Sequence, residues 1–186
     1  DADEYNTTFL VCSMISSAAN AASQFIAFSD ARIKNISGIS NSANDLTTIN
    51  SLKITDYTMK DKVYFGNTKY KKVIAQEVEK VYPQVVSKRT DYIPNVYQLT
   101  NKIEKTSNGY RLFFAQKHTI SSTAKKIKIQ LKDNGTMQEV EISAIPSDNS
   151  VEIISAEINE DKIFVYGEQV NDFRAVDYEG LTTLNI

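Results

Sequence analysis

Phe28-Ser29-Asp30-Ala31-Arg32-Ile33-Lys34-Asn35-Ile36 divides the sequence into two kinds of chain. Before it, Thr7 to Phe28 run without one charged residue; after it, charged, apolar and turn residues alternate as in a folded domain. Read locally, the stretch predicts a short helix over about 30–36. Ser29 is its N-cap, Asp30 sits in the first turn at the positive end of the helix dipole, and Gly38 lies near the stop. The same stretch holds a nucleophile and a base, the Ser29 hydroxyl and the Lys34 amine. On a regular helix, residues five apart lie about 140° around the axis and roughly 7.5 Å along it. Two such side chains do not meet easily. Either the segment departs from a helix, or Lys34 of one chain serves Ser29 of a neighbour.

Composition narrows the field around this stretch. The 186 residues are enough for one domain or two small ones with a real core. With 21 Lys and Arg against 23 Asp and Glu, the formal charge is −2, so neither a nucleic-acid surface nor a strongly acidic partner is indicated. The lone Cys12 excludes an internal disulfide framework, and the lone His118 with no cysteine pair argues against a zinc cluster. No apolar run reaches the roughly 18 residues that span a bilayer. No cofactor, nucleic acid or membrane enters the expected function.

Residues 1–28 open acidic, with Asp1, Asp3 and Glu4, and continue through Phe9-Leu10-Val11 to Ala18-Ala19-Asn20-Ala21-Ala22. The basic start of a signal peptide is missing. An uncharged Ala/Ser/Asn stretch is too weakly apolar to fold alone.

Downstream, Asn44-Asp45 starts a second short helix with Leu46, Ile49 and Leu52 on one side. Ile54 to Met59 alternates as a strand, and Gly66-Asn67 marks a turn. Tyr70 to Ala75 is a strand leading into a helix over 76–82 that Pro83 ends. Val78, Val81 and Tyr82 form the apolar stripe of that helix, leaving Glu77, Glu79 and Lys80 in water. A plain amphipathic helix explains these residues, so Gln76 and Glu77 receive no catalytic role.

From Asp91 to about Ala175 the pattern is β. Tyr110–Phe114, Lys126–Lys132, Gln138–Ile142, Val151–Ile158 and Lys162–Tyr166 read as half-exposed strands in which Lys or Glu alternates with Ile or Val. Asp133-Asn134-Gly135 makes a hairpin turn, and Glu160-Asp161 makes another. Lys126 and Lys128 face Glu139 and Glu141 across the first hairpin, which sets register and keeps the face solvated.

Three motifs in order carry a resemblance. They are Ser29-Asp30-x-Arg32-x-Lys34, then Val73-Ile74-Ala75-Gln76-Glu77-Val78-Glu79-Lys80-Val81-Tyr82-Pro83-Gln84-Val85-Val86, then Val176-Asp177-Tyr178-x-x-Leu181. Together they resemble the self-cleaving intramolecular chaperone domain found at the C-terminus of phage tailspikes, tail fibres and endosialidases, and in some membrane-tethered eukaryotic transcription factors. The family form places the third motif soon after the second; here residues 87–175 intervene. In the family a trimer-forming helix follows the third motif, whereas this sequence ends at Ile186.

The resemblance implies an α+β fold: a chaperone core of short helices and a few strands, interrupted by an inserted antiparallel β-subdomain of five or six strands. The expected divisions are 1–28 upstream stalk, 29–90 auto-processing core, 91–175 inserted subdomain, and 176–186 start of the C-terminal helix. It implies a homotrimer, assembled with the upstream fibre of the same chain, and a virion tail fibre whose cleaved chaperone is released in the host cytoplasm. The implied chemistry is a self-cleaving serine endopeptidase acting once on its own Phe28–Ser29 bond. Ser29 and Lys34 are the dyad, with Asp30 and Arg32 in support. An unperturbed lysine has a pKa of about 10.4, so the base requires burial at a subunit contact or a nearby Arg32 guanidinium. Asp30 is expected to turn toward backbone N–H groups or Arg32 instead of Lys34. The competing expectations are a non-catalytic trimerisation or adhesin module, whose Ser29 only caps a helix, and the equivalent domain of a cellular membrane-tethered protein.

Overall fold

The computed structural model describes residues 29–131, 135–154 and 158–184. The expected stalk lies outside these residues, as do Lys132 at the end of an expected strand and Asp133 and Asn134 of the expected hairpin turn. The chain divides into two compact units between Ser40 and Asn41.

In the first unit, residues 29–40 contain a single 3-10 turn, Ala31–Ile33, in place of the helix expected over 30–36. Its N-cap is Asp30 and not Ser29: the Asp30 carboxylate accepts the Arg32 backbone N–H at 2.8 Å. Lys34 already has extended geometry, with φ −121° and ψ 139°. The physical reason is the absence of a face to bury. No residue from 29 to 40 is buried, and short helices draw their stability from packing of an apolar face. The β-branched Ile33 and Ile36 further weaken a helix.

The second unit starts with α1, Ser42–Ser51, whose N-cap Asn41 accepts from the N–H groups of Ala43 and Asn44. Asparagine thus starts the helix three residues before the expected Asn44. Strand β1, Thr55–Thr58, pairs antiparallel with β2, Lys69–Lys72, and Tyr57 stacks on Tyr70 with ring centroids 5.5 Å apart. Between them lies α2, Lys62–Phe65, a single turn that the sequence pattern did not suggest; Asp61 caps it and Gly66, at φ 64°, ends it. The expected strand over 70–75 is β2, which starts at Lys69 and ends at Lys72. Helix α3, Ala75–Val81, then stops before Pro83, which opens a 3-10 turn.

The remaining strands are β3 (Val86–Tyr92), β4 (Gln98–Lys105), β5 (Tyr110–Phe114), β6 (Lys126–Gln130), β7 (Met137–Ser147), β8 (Ser150–Ile154) and β9 (Phe164–Val176), followed by helix α4 (Tyr178–Thr183). Their order is β3-β9-β4-β5-β8-β7-β6, and β6 pairs again with β9. That second pairing closes β4 to β9 into an antiparallel barrel, with β3 continuing the sheet along the far half of β9. The alternation read from Lys126 onward is the barrel wall: Ile127 and Ile129 point in, and both are fully buried. They meet Leu112, Val151, Ile153, Ile163 and Val165, none of them more than 1 % exposed, at the centre of the core. So narrow a barrel is filled by its own side chains.

Gly167 of β9 lies opposite the bulge between Lys128 and Ile129, and the connection from β3 to β4 passes close to its backbone. A Cβ there would stand 1.9 Å from the Ile93 carbonyl oxygen, and φ is 157°. The adjoining Glu168 is buried, with its carboxylate accepting from Asn95 Nδ2 at 2.9 Å and the Ser121 N–H at 2.8 Å. Two loops are thereby tied to β9, and a buried charge is left with partners on both oxygens.

A second, smaller core joins the two ends of the unit. Val73, Val78, Val85 and Leu181 are buried together, flanked by Leu52, Tyr82, Val86 and Val176. Helix α4 enters this cluster from a start capped by Asp177, which accepts the Gly180 N–H at 3.1 Å. Glu79 departs from the expected wet position. It is half-buried between Lys88 of β3 and Arg174 of β9, each 2.5 Å away, because those strands pass under α3. The boundaries expected at 90/91 and 175/176 both fall inside the β3–β9 pair. The architecture is mixed α+β with antiparallel sheets.

Candidate active site

Ser29 and Lys34 meet within one chain. Lys34 Nζ donates to Ser29 Oγ at 2.6 Å. A continued α-helix would have separated them; the tighter 3-10 turn followed by extended backbone at Lys34 folds the lysine back over the turn. The Lys34 N–H closes the turn by donating to the Ala31 carbonyl at 3.1 Å, and Ile33 N–H donates to Asp30 at 3.2 Å. The departure from helical geometry is what makes the contact.

Asp30 and Arg32 occupy each other. Arg32 Nη2 donates to Asp30 Oδ2 at 2.6 Å, and Arg32 Nε donates to Oδ1 at 3.0 Å, beside the backbone bond already described. The Arg32 side chain, and then its backbone N–H, hold the Asp30 carboxyl below its ordinary value of 3.8. Asp30 in turn raises the Arg32 guanidinium. The Asp30 carboxylate and the Arg32 guanidinium are thus paired with each other, and the hydrogen bond of Lys34 Nζ goes to Ser29.

Both members of the pair are open to solvent. So are the apolar residues spaced along the same segment: Ile33 is 69 % exposed, Ile36 72 % and Ile39 fully exposed. Phe28, whose carbonyl is the expected point of attack, lies outside the described residues. To act as a general base, Lys34 Nζ must be neutral and within hydrogen-bond reach of the hydroxyl proton, and the second condition is met here.

Of the other residues weighed from the sequence, Glu77 pairs with Lys80 at 2.7 Å and with Lys53 at 4.0 Å. Its carboxyl is lowered chiefly by the Lys80 hydrogen bond. That is ordinary helix-surface pairing and gives no reason to assign it chemistry. Gln76 is exposed on the same helix. Among the described residues, no group of three or more His, Cys, Asp or Glu is placed to hold a metal, and no helix is long and apolar enough to cross a membrane.

Residues 29–87 match a peptidase family described as chaperone of endosialidase. The match begins at Ser29 and ends at Ser87, the second residue of β3, so it takes in the Ser29–Lys34 pair, the β1–β2 ribbon, α3 and the Pro83 turn. It supports an intramolecular chaperone role for this segment, and the family's peptidase character supports self-processing. No curated protein matches the chain.

Proposed function

We propose that the chain is an intramolecular chaperone that trimerises with the fibre segment preceding it and then severs the Phe28–Ser29 bond through Ser29 and Lys34. The observation that carries this reading is the 2.6 Å contact between Lys34 Nζ and Ser29 Oγ, at the residue where the family match begins.

The chemistry follows from the pair. Neutral Lys34 Nζ takes the Ser29 hydroxyl proton as Oγ attacks the Phe28 carbonyl carbon through a five-membered ring. Collapse of the oxyanion breaks the C–N bond, and the lysine returns its proton to the departing Ser29 nitrogen. The products are a free Ser29 amine and an ester from Phe28 to Ser29 Oγ. Water then hydrolyses the ester, leaving a Phe28 carboxylate and restoring the serine hydroxyl. Each chain reacts once and needs no cofactor.

Assembly is the trigger in this account. Ile33, Ile36 and Ile39 lie exposed along the dyad segment, and neighbouring chains that cover them strip water from Lys34 and free its proton. The setting is a phage-type tail fibre or tailspike, with the cleaved chaperone left in the host cytoplasm. The exposure of Ser29 and Lys34 also favours a second reading, in which their hydrogen bond is a surface clip in a non-catalytic trimerisation module. The test is an N-terminal determination on trimeric material. A new terminus at Ser29 that disappears in Ser29→Ala supports the peptidase, and uncut trimers support the module.

A further inference from the structure

We propose that the cleft between α2 and the barrel is an aromatic cage for an alkylated ammonium cation. Its lining comes from five separated stretches of chain: Asp61 and Tyr64 at α2, Tyr97 before β4, Gln130 at the end of β6, Met137 at the start of β7, and Phe164 with Tyr166 at the start of β9. The cavity measures about 330 Å³, at the small end of pockets that take compact ligands. This inference is independent of the Ser29–Lys34 reading.

Ring geometry is the first argument. Tyr97 stands at 87° to Phe164 with centroids 5.2 Å apart, and at 72° to Tyr166 with centroids 6.0 Å apart. Nearly perpendicular rings form the corner of a box, and the negative faces of such rings attract a cation held within about 6 Å. Elsewhere on this protein the chain supplies that cation itself: Lys128 lies 4.4 Å from the Tyr92 ring and Lys102 5.8 Å from Phe113. Among the described residues, no lysine or arginine lies over Tyr64, Tyr97, Phe164 or Tyr166.

Charge is the second. Asp61 has no ion-pair partner among the described residues, and its hydrogen bonds fall on one oxygen: Oδ1 accepts from the Tyr97 hydroxyl at 2.8 Å and from the Tyr64 N–H at 3.0 Å. Oδ2 remains for a ligand. Burial raises the hydroxyl pKa of both Tyr97 and Tyr166, and the Asp61 charge adds to the rise in each. A negative field therefore reaches across the cleft.

Backbone strain is the third. Tyr97 is the one non-glycine residue with positive φ among the described residues, at 45°. A bulky side chain in that region is strained and persists only where its surroundings fix it. Here the fixing contacts aim the ring into the cleft. The Tyr97 N–H donates to the Tyr166 carbonyl at 2.9 Å, and its hydroxyl accepts the Val63 N–H at 3.1 Å while bonding Asp61. A neutral sugar would use rings and a carboxylate too, but it has no need of an unpaired charge facing several ring walls.

Calorimetric titration of the 186-residue chain with choline and tetramethylammonium tests the cage, with 3,3-dimethylbutanol as the neutral isostere of choline. The expected result is saturable binding of both cations, with amide shifts at Val63 and Tyr64, and binding of the isostere about tenfold weaker or less. Asp61→Asn keeps a good N-cap and should weaken choline about tenfold. Tyr64→Ala changes a residue 80 % exposed, so folding is spared, and it should weaken choline several-fold. A trimethyllysine peptide set against phosphocholine separates a protein side chain from a lipid-type headgroup as the source; tighter binding of either supports the cage. Equal binding of choline and its isostere overturns the proposal, as does the absence of saturable cation binding, or binding of a neutral hexose in its place.

Discussion

At the scale of residues, the account rests on a hydroxyl, an amine and the turn that joins them. Ser29→Ala removes the attacking oxygen and should abolish cleavage of the preceding bond in assembled material, measured by gel and mass. Lys34→Ala keeps the hydroxyl but loses the base, and should slow cleavage about a thousandfold or more, because the two act as a unit. Lys34→Arg is the sharper variant. It retains the positive charge and a hydrogen-bond donor to Ser29, yet it does not deprotonate near neutral pH. Wild-type cleavage by trimeric Lys34→Arg would make the 2.6 Å contact structural. The pair itself was legible in the sequence, whereas its geometry was not. A helix with Ser29 as cap keeps the side chains apart, and the single 3-10 turn capped by Asp30 brings them together. Spacing alone does not reveal that residues 29–40 are all exposed, with no buried face to sustain a full helix.

At the scale of elements, α4 and α3 are held by one small core, and that core is open to test. Leu181→Ala removes a buried side chain packed with Val73, Val78 and Val85. It should destabilise the second unit by about 2–4 kcal/mol, seen as a lower denaturant midpoint with an unchanged slope. An effect under about 0.5 kcal/mol would mean that α4 does not dock there. Glu79 gives a pH signature. Hydrogen bonds from Lys88, then Arg174, depress its folded pKa below the ordinary 4.5. Its contribution is therefore present above that value and is lost as pH falls through the lower folded pKa. Glu79→Gln should flatten the acid limb of a stability–pH curve and leave its shape above neutral pH unchanged. An unaltered acid limb would count against the Lys88–Glu79–Arg174 cluster. The strands with Lys/Glu against Ile/Val were readable because half-buried β structure writes a period of two. Barrel closure was not, because the β6–β9 pairing joins stretches far apart in the chain and runs through a bulge that no local pattern marks. Nor was the aromatic cleft, whose walls come from stretches as far apart as Asp61 and Tyr166.

At the scale of the whole molecule, the question is what covers the dyad segment. Ile33, Ile36 and Ile39 expose large apolar surface beside Ser29 and Lys34, and in this account neighbouring copies bury it. Ile36→Asp would place a carboxylate in that contact, at a penalty of several kcal/mol if buried. Sedimentation should then show a shift from trimer toward monomer, with cleavage falling in parallel. An unchanged trimer would remove Ile36 from the interface. The same account requires the cut to depend on assembly, so a wild-type rate unchanged by dilution into monomers would exclude neighbouring chains as the trigger.

The most direct measurement is the mass and N-terminal sequence of the chain after incubation under conditions where it is trimeric. The account predicts that the 20.9 kDa chain is replaced by two pieces, one ending at Phe28 and one beginning at Ser29, and that Ser29→Ala stays whole. An intact wild-type chain in fully formed trimers, or a cut at any other bond, would contradict it.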